Sequence, residues 1–277
     1  MAVGLADVRR EPDEDAELVT QARLGMAARA VALGDGWMRV RLPDYEGWMR
    51  ATDLESPARG ANTVAVVRAL WSPLYADERD DKRVDEACVS TVLPLASESS
   101  RGAGERVEVR LPGGRAAWLA RSDVVIRPRN DPFPAAEPSV AVEVGRSLLG
   151  VSYLWGGTSP RGVDCSGLVQ LGYRVAGCVI PRDGDQQFAS ISYVVEQGDR
   201  QLGDLVFFAA DGRITHVAFS LGGARILHAS GSARCVTINS LDPADADYSA
   251  RLASMYAGTR RPMPAARVAQ ERDMTNG

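Results

Sequence analysis

One stretch constrains this chain more than any other: Gly162-Val163-Asp164-Cys165-Ser166-Gly167-Leu168. Apolar residues then recur at helical spacing as far as Val175, and Gly177 is a typical helix stop. Asp164 is a good N-cap residue, so Cys165 falls in the first helical turn. The unpaired N–H groups and the dipole of that turn favour an anion, and the nucleophilic form of cysteine is an anion. We therefore predict that this cysteine is a nucleophile.

A nucleophilic cysteine of this kind needs a histidine. Lowering a thiol pKa from about 8.5 to about 4 is worth about 6 kcal/mol, and a helix N-terminus contributes at most about 2 kcal/mol. An imidazolium must supply the rest. The chain contains only two histidines, His216 and His228, so we expect a thiolate–imidazolium pair that involves them.

Both histidines fall on predicted strands. If a three-residue loop at 221–223 closes the hairpin between them, His216 pairs with His228 and both side chains share one face. A two-residue loop would place them on opposite faces. We predict the three-residue closure, within four strands at 204–209, 215–220, 225–229 and 234–239. Zinc bound by Cys165, His216 and His228 is the alternative chemistry for these residues.

Composition limits the function classes. The 277 residues are 25% charged and 45% hydrophobic with a net charge of −4, which is typical of a soluble globular protein and gives no reason to expect nucleic acid or a membrane as partner. The N-terminus lacks the pattern of a secretory signal, so we expect a cytoplasmic location. The cysteines are scattered without a CxxC motif, which indicates reduced thiols. We expect Cys88, Cys178 and Cys235 to be inert.

The N-terminal half contains a degenerate repeat. Val40-Arg41-Leu42-Pro43 and Val109-Arg110-Leu111-Pro112 are each followed by a tryptophan, and an aspartate follows that tryptophan after five residues. Alternating apolar residues and turn residues predict two small β-barrels, at 1–57 and 60–127. We expect Trp48 and Trp118 in the barrel cores. Prolines at 128–138 indicate a linker.

We predict a third domain at 139–262, which opens with a short helix capped by Ser139, and a flexible tail at 263–277. Asp183–Gln197 is a further candidate for a short helix. The predicted fold class is thus α+β, with a cysteine-bearing helix packed on an antiparallel sheet.

Two family resemblances extend these predictions. The run Asp35-Gly36-Trp37-Met38-Arg39-Val40 with Glu46-Gly47-Trp48 resembles bacterial SH3-like (SH3b) domains. The run Tyr153-Leu154-Trp155-Gly156-Gly157-Thr158 and the cysteine motif are similar to the signature of the NlpC/p60 family, papain-like endopeptidases of bacterial cell-wall peptides. Ile180-Pro181-Arg182, Gly203-Asp204-Leu205-Val206 and Ile226-Leu227-His228-Ala229 follow in the order expected for that family.

The resemblance implies a role for each matching residue. Cys165 would be the nucleophile, His216 the general base and His228 the residue that orients it. Tyr153 would donate to the oxyanion beside the backbone N–H of Cys165. No cofactor or metal is implied.

A subgroup with N-terminal SH3b domains cuts between γ-D-glutamate and a diamino acid in peptides with a free N-terminal L-alanine. By this resemblance Asp164 would bind the free amine, and Ser166 would line the pocket. Tyr45 and Glu11 of the first barrel would close its end.

We therefore expect a monomeric cytoplasmic endopeptidase that recycles murein peptides containing diaminopimelate or lysine. One alternative is a secreted hydrolase of intact stem peptides. Others are a non-catalytic wall-binding protein and a papain-like amidase or acyltransferase with another substrate.

Overall fold

The computed structural model describes residues 1–102 and 104–263. The predicted tail, 263–277, lies outside the described residues except for Met263. The chain divides into two compact units: the first contains Met1–Pro132 with Trp155–Pro160, and the second contains Phe133–Leu154 and the residues from Arg161 onward. Among the described residues, no helix is both long and apolar enough to cross a membrane.

Both predicted barrels fall in the first unit, and the border at Pro132 falls within the predicted linker. The segment Trp155–Pro160 belongs to the first unit, although its position in the sequence is inside the predicted third domain. The individual domain boundaries remain predictions.

The first unit consists of short strands joined by turns. They are β1 (Leu5–Arg9), β2 (Leu18–Arg23), β3 (Arg29–Gly34), β4 (Trp37–Arg41), β5 (Glu46–Arg50), β6 (Thr63–Val67), β7 (Trp71–Tyr75), β8 (Arg83–Cys88), β9 (Val92–Pro94), β10 (Arg106–Arg110), β11 (Ala116–Ala120), β12 (Val124–Pro128) and β13 (Thr158–Ser159). The sheet orders are β2-β1-β5-β4-β3, β10-β11-β7-β8 and β12-β6-β9. β5 and β11 each run into a short 3-10 turn that ends at an aspartate, so the sequence repeat is also a structural one.

The prediction that Trp48 and Trp118 lie in the barrel cores is wrong. On β5 the buried residues are Gly47 and Met49, and on β11 the same alternation buries the neighbours of the tryptophan. Side chains on a strand alternate between faces, so both tryptophans point away from the core and are half-buried. Met49 instead packs in a fully buried cluster with Val8 and Val40.

The second unit combines one sheet with helices. Its elements are α1 (Pro138–Ser147), β14 (Gly162–Val163), α2 (Cys165–Val175), α3 (Gly184–Ser190), β15 (Val194–Val195), β16 (Leu202–Ala210), β17 (Arg213–Leu221), β18 (Arg225–Ser230), β19 (Cys235–Ser240), α4 (Ala250–Ser254) and β20 (Tyr256–Arg260). The antiparallel sheet has the order β15-β20-β16-β17-β18-β19. The four predicted strands are confirmed as β16 to β19, and the further short helix is confirmed as α3. Strand β20 was not predicted.

The cysteine-bearing helix packs closely against α1. A Cβ atom on Gly172 would lie 2.5 Å from the carbonyl oxygen of Ala141, closer than real Cβ atoms come to such an atom. On α1, Gly145 similarly faces the Phe219 and Leu227 side chains of the sheet. Glycine at both positions lets α1 lie against α2 and the sheet.

The two ends of these helices test the capping predictions. Ser139 does not cap α1, because the N-cap is Glu137 and Pro138 occupies the first helical position. Proline is favoured at this position because its fixed φ suits the helix. The N–H that proline lacks would have no hydrogen-bond partner within the helix there. For α2 the Asp164 cap is confirmed, and so is the stop at Gly177, which has φ of 72°.

Candidate active site

Cys165 is the first residue of α2. The Asp164 carboxylate accepts a hydrogen bond of 2.6 Å from the backbone N–H of Gly167, which is the bond that an N-cap makes. The thiol of Cys165 lies near the backbone N–H groups of Ser166 and Val217, which both favour its anion. Val217 follows His216 on β17, so the thiol faces the strand that carries the predicted base.

The hairpin that carries the histidines has a different register from the one predicted. Ser220 pairs with Ile226, so the predicted partners Ser220 and Ala224, and hence His216 and His228, do not pair. Gly222 and Gly223 have φ of 93° and 57°, and the Ser220 hydroxyl accepts from the N–H of Gly222, which opens a wider loop. The register is shifted by two residues, and a shift of two preserves the face of every side chain.

The two histidines therefore still meet, as diagonal neighbours on one face. Nε2 of His216 lies 2.8 Å from Nδ1 of His228, and the ring planes are 82° apart. His228 is 2% exposed, whereas His216 is half-buried and its ring packs against Phe208. The predicted contact between the histidines is confirmed, but the predicted loop is wrong.

Asn239 extends this chain of hydrogen bonds. Its Oδ1 lies 3.0 Å from Nε2 of His228, and its Nδ2 donates to the Asp247 carbonyl at 3.0 Å. The amide orientation follows from this second bond, because a carbonyl can only accept. Asn239 was not identified from the sequence. Polar residues on strands are common, and only the pairing of β18 with β19 shows that it faces His228.

The hydrogen bonds assign the protons of the neutral rings. Since Asn239 Oδ1 accepts, Nε2 of His228 carries the hydrogen and its Nδ1 accepts. His216 then donates from Nε2, which leaves its Nδ1 with a lone pair. This tautomer is the one that a general base requires.

The pKa values of Cys165 and His216 do not favour a resting ion pair between these two residues. Burial, together with the Asp164 charge, raises the pKa of Cys165 to about 12 in spite of the two nearby N–H groups. Burial, with smaller contributions from His228 and the Arg251 charge, lowers the pKa of His216 to about 3. Both shifts favour the neutral forms. We infer a neutral thiol beside a neutral imidazole as the resting state, which differs from the predicted thiolate–imidazolium pair.

Tyr153 lies close to the thiol. Burial raises the pKa of its phenol above the ordinary value, and negative charge on Cys165 or Asp164 would raise it further. The phenol therefore stays protonated at neutral pH and can donate a hydrogen bond. An oxyanion beside Cys165 would need such a donor.

Asp164 and Ser166 form a buried network with Arg182, which was not predicted as a site residue. Arg182 is 1% exposed, and its guanidinium contacts both oxygens of Asp164, at 3.0 and 2.6 Å. It also donates to the Ser166 hydroxyl at 2.8 Å. The residue predicted to bind an amine is thus already paired with a cation. Sequence offered one signal, the Ile180-Pro181-Arg182 motif.

The two predicted residues of the first barrel lie in the first unit. Glu11 is exposed after β1, and Tyr45 is half-buried against the barrel core near Arg10. Their part in closing a pocket remains a prediction.

Within the first unit, the segment Trp155–Pro160 is bound by a side chain of β2 and by one just before it. Gln21 accepts from the Thr158 N–H at 3.1 Å and from the Ser159 hydroxyl at 2.9 Å. Trp155 donates to Glu17 at 2.9 Å. The sequence did not indicate these partners.

The geometry argues against zinc bound by the same three residues. The nitrogens of His216 and His228 that face each other share a hydrogen, so they cannot both direct lone pairs at a metal. Within residues 1–102 and 104–263, no group of three or more His, Cys, Asp or Glu side chains has the arrangement of a metal site.

A cysteine at a helix start, packed on an antiparallel sheet that carries a paired histidine, defines a papain-like cysteine peptidase domain. The NlpC/P60 family matches residues 150–252, and the bacterial dipeptidyl-peptidase Sh3 domain matches residues 8–54. The chain belongs to the NlpC/P60 family and is a cysteine peptidase, with an α+β fold preceded by an SH3b-like β-rich region.

Known relatives cover most of the chain. A γ-D-glutamyl-L-lysine dipeptidyl-peptidase of Bacillus cereus is 32% identical over 90% of this chain and 76% of its own length. Dipeptidyl-peptidase 6 of Lysinibacillus sphaericus is 28% identical over 86% of this chain and 89% of its own length. A solved structure of an NlpC/P60 family protein from Bacillus cereus has a TM-score of 0.83 and 27% identity, and covers 95% of this chain and 99% of that one.

Proposed function

We propose that this peptidase hydrolyses the γ-D-glutamyl–diamino acid bond of murein peptides that have a free N-terminal L-alanine. The observation that carries the proposal is the hydrogen-bonded chain His216–His228–Asn239 beside the capped Cys165. This chain leaves Nδ1 of His216 as a base next to the thiol of Cys165, and acyl transfer to sulfur requires such a base.

The proposed reaction begins at the neutral pair. Nδ1 of His216 takes the thiol proton while Sγ of Cys165 bonds to the scissile carbonyl carbon. Because the thiol pKa is so much higher than that of the imidazole, proton transfer has to accompany carbon–sulfur bond formation. The backbone N–H of Cys165 and the phenol of Tyr153 donate to the oxyanion.

Collapse of the tetrahedral intermediate breaks the carbon–nitrogen bond. His216 returns the proton to the leaving amine, and the acyl group remains on sulfur as a thioester. Water then attacks the thioester, gives one proton to His216 and releases the acid. The proton returns to sulfur and restores the thiol.

The names of the relatives support the choice of bond. Two relatives are named γ-D-glutamyl-L-lysine dipeptidyl-peptidases, and a third is named a dipeptidyl-peptidase. An enzyme that removes a dipeptide has to recognise the free N-terminus. Buried acceptors for an ammonium would reject an acylated amine, because they would stay unpaired.

Asp164 is the proposed acceptor for that ammonium, in addition to its bonds to Gly167 and Arg182. The proposal gives Ser166 a supporting part beside Asp164, and it retains Tyr45 and Glu11 as further substrate-binding residues. We further propose a cytoplasmic role in murein peptide recycling, which cell fractionation would test.

Mass spectrometry of peptide cleavage tests the proposal. Purified protein is incubated with L-Ala-γ-D-Glu-meso-diaminopimelate, with the L-lysine peptide and with their N-acetylated forms. We expect release of L-Ala-D-Glu from the free peptides only. Cys165→Ala should abolish it, whereas Cys178→Ala, which removes another buried thiol, should not.

Equal cleavage of free and N-acetylated peptides would refute the free-amine part of the proposal. Cleavage of intact sacculi would favour the alternative of a hydrolase that acts on stem peptides in the wall. Sacculus binding without cleavage of any substrate would favour the wall-binding alternative.

A further inference from the structure

A cleft of about 600 Å³ opens beside the catalytic base in the second unit. It is lined by Tyr153, His216 and His228, by the loop between β18 and β19, and by the segment that includes α4. Cys165 and Asp164 are not among its lining residues. The cleft thus lies on the histidine side of the reaction centre.

The histidine side is the side of the leaving group. The proton taken from the thiol has to be delivered to the departing amine, so the leaving amine must lie against His216. In the proposed function, which this inference extends, that amine belongs to the diamino acid. The cleft is the space next to it.

One cation lies in the cleft lining. Arg251, on α4, is exposed, and its charge is close enough to contribute to the lowered pKa of His216. Among the residues that the structure describes, no carboxylate pairs with it, whereas Arg225, at the start of β18, pairs with Asp247. A positive charge makes protonation of the base harder, so it does not assist the resting enzyme.

We propose that Arg251 is a specificity-determining residue that binds a carboxylate of the leaving diamino acid. A guanidinium donates two parallel hydrogen bonds to a carboxylate, and it repels an ammonium group. The hydroxyl groups of Ser230, Ser232 and Ser249 give the cleft a polar lining suited to such a ligand. Lysine offers only its α-carboxylate, whereas diaminopimelate also carries one at the end of its side chain.

Four peptides distinguish binding of the α-carboxylate from binding of the side-chain carboxylate. They are the lysine and meso-diaminopimelate forms of L-Ala-γ-D-Glu-X, each with a free or an amidated α-carboxyl group. The enzymes are wild type, Arg251→Gln, Arg251→Lys and Arg146→Gln. Arg146 is an exposed arginine on α1 outside the cleft, so Arg146→Gln removes the same charge elsewhere.

Arg251→Gln should lower kcat/KM about ten-fold or more on peptides that carry the recognised carboxylate, since charge-assisted hydrogen bonds are lost. It should leave the amidated lysine peptide unchanged. Arg251→Lys should restore part of the loss, and Arg146→Gln should behave as wild type. Loss confined to the free α-carboxyl forms assigns the α-carboxylate, and loss on both diaminopimelate forms assigns the side-chain carboxylate.

An equal effect of Arg251→Gln on all four peptides, or no effect, would overturn the inference. If wild type cleaves none of them, the proposed function fails, and a binding measurement then decides the inference. Saturation-transfer NMR of free meso-diaminopimelate would be recorded with Cys165→Ala and with Cys165→Ala/Arg251→Gln. A signal lost in the second protein supports the site, and equal signals refute it.

Discussion

The hydrogen-bond chain behind the proposed base, His216, makes a sharp prediction about Asn239. Its Oδ1 is 3.0 Å from Nε2 of His228, a ring that is 2% exposed. Asn239→Ala leaves that buried N–H without its acceptor, which costs about 1–3 kcal/mol. The ring avoids the cost by moving its hydrogen to Nδ1. Nε2 of His216 must then accept, so the hydrogen of His216 moves to Nδ1 and the base is lost.

The magnitude follows from this competition between tautomers. If the active tautomer is disfavoured by about 1–2 kcal/mol, the active fraction and kcat fall about 5- to 30-fold, since 1.4 kcal/mol is a factor of ten. Asn239→Asp retains an acceptor for the His228 N–H and should keep more activity than Asn239→Ala. It loses the donor to the Asp247 carbonyl, so full activity is not expected.

Nitrogen-15 NMR of the imidazoles tests the mechanism separately from activity. The chain has only two histidines, so the ring signals are few. In the wild type, we expect hydrogen on Nε2 and a bare Nδ1 in both rings. Asn239→Ala should increase the Nδ1–H form of both together.

The matched control is Thr237→Ala, because Thr237 is the β19 residue that pairs with His228 across the strands. It perturbs the same strand without removing the acceptor and should leave both rings unchanged. Protonated Nδ1 on wild-type His216, or an Asn239→Ala enzyme with normal kcat and normal tautomers, would refute the reasoning.

Three further predictions rest on burial. Because the pKa of Cys165 is raised to about 12, the difference in ultraviolet thiolate absorbance between wild type and Cys165→Ala should stay near zero to about pH 9, and appearance of a thiolate near neutral pH would contradict it. Gly172→Ala should lower the free energy of unfolding by about 1–3 kcal/mol in urea titration because its Cβ meets a facing carbonyl, while Gly198→Ala, with open space, should change it little. Asp164→Asn keeps the cap but leaves the buried Arg182 cation without its anion, so we expect about 3–5 kcal/mol of destabilisation; an unchanged melting temperature would show that this pair is not structural.

Acidification gives another test, whose sign follows from the histidine pKa values. Burial lowers the pKa of both His216 and His228, so the unfolded chain binds more protons than the folded one below the ordinary value near 6.5. The contribution of both histidines to stability is complete above that value and is lost as the pH falls below it, for His216 towards about 3. His216→Gln should therefore flatten the fall in unfolding free energy between those limits. An equally steep fall in His216→Gln would contradict it.

The sequence predicted those features of the site that depend only on residues close together in the chain. Asp164 before a helical run and Gly177 after it are capping signals, and both were correct. The shared face of the two histidines was also correct, since a strand alternates faces. The loop was wrong because Ser220 and two left-handed glycines widen it by two residues, which no residue count can show.

The parts that sequence could not supply depend on long-range pairing. Asn239 faces His228 only because β18 pairs with β19 in one register. Arg182 reaches Asp164 across 18 residues, and β20 joins the sheet beside β16 from the far end of the domain. In each case the residue type is ordinary, and only the fold gives it a partner.

The network around Asp164 also explains why the helix N-terminus alone does not produce a thiolate. The first turn of α2 and the Val217 N–H favour the anion, but the carboxylate that caps this turn is adjacent to the thiol and opposes it, as burial does. Arg182 balances the carboxylate, and this pairing keeps the cap charged while it is buried. Asp164 thus positions Cys165 and adds to the effect of burial, which is the main reason that the pKa of the thiol is raised. We expect activation to come from His216 at the moment of attack, so the proposed mechanism depends on the tautomer that His228 and Asn239 set.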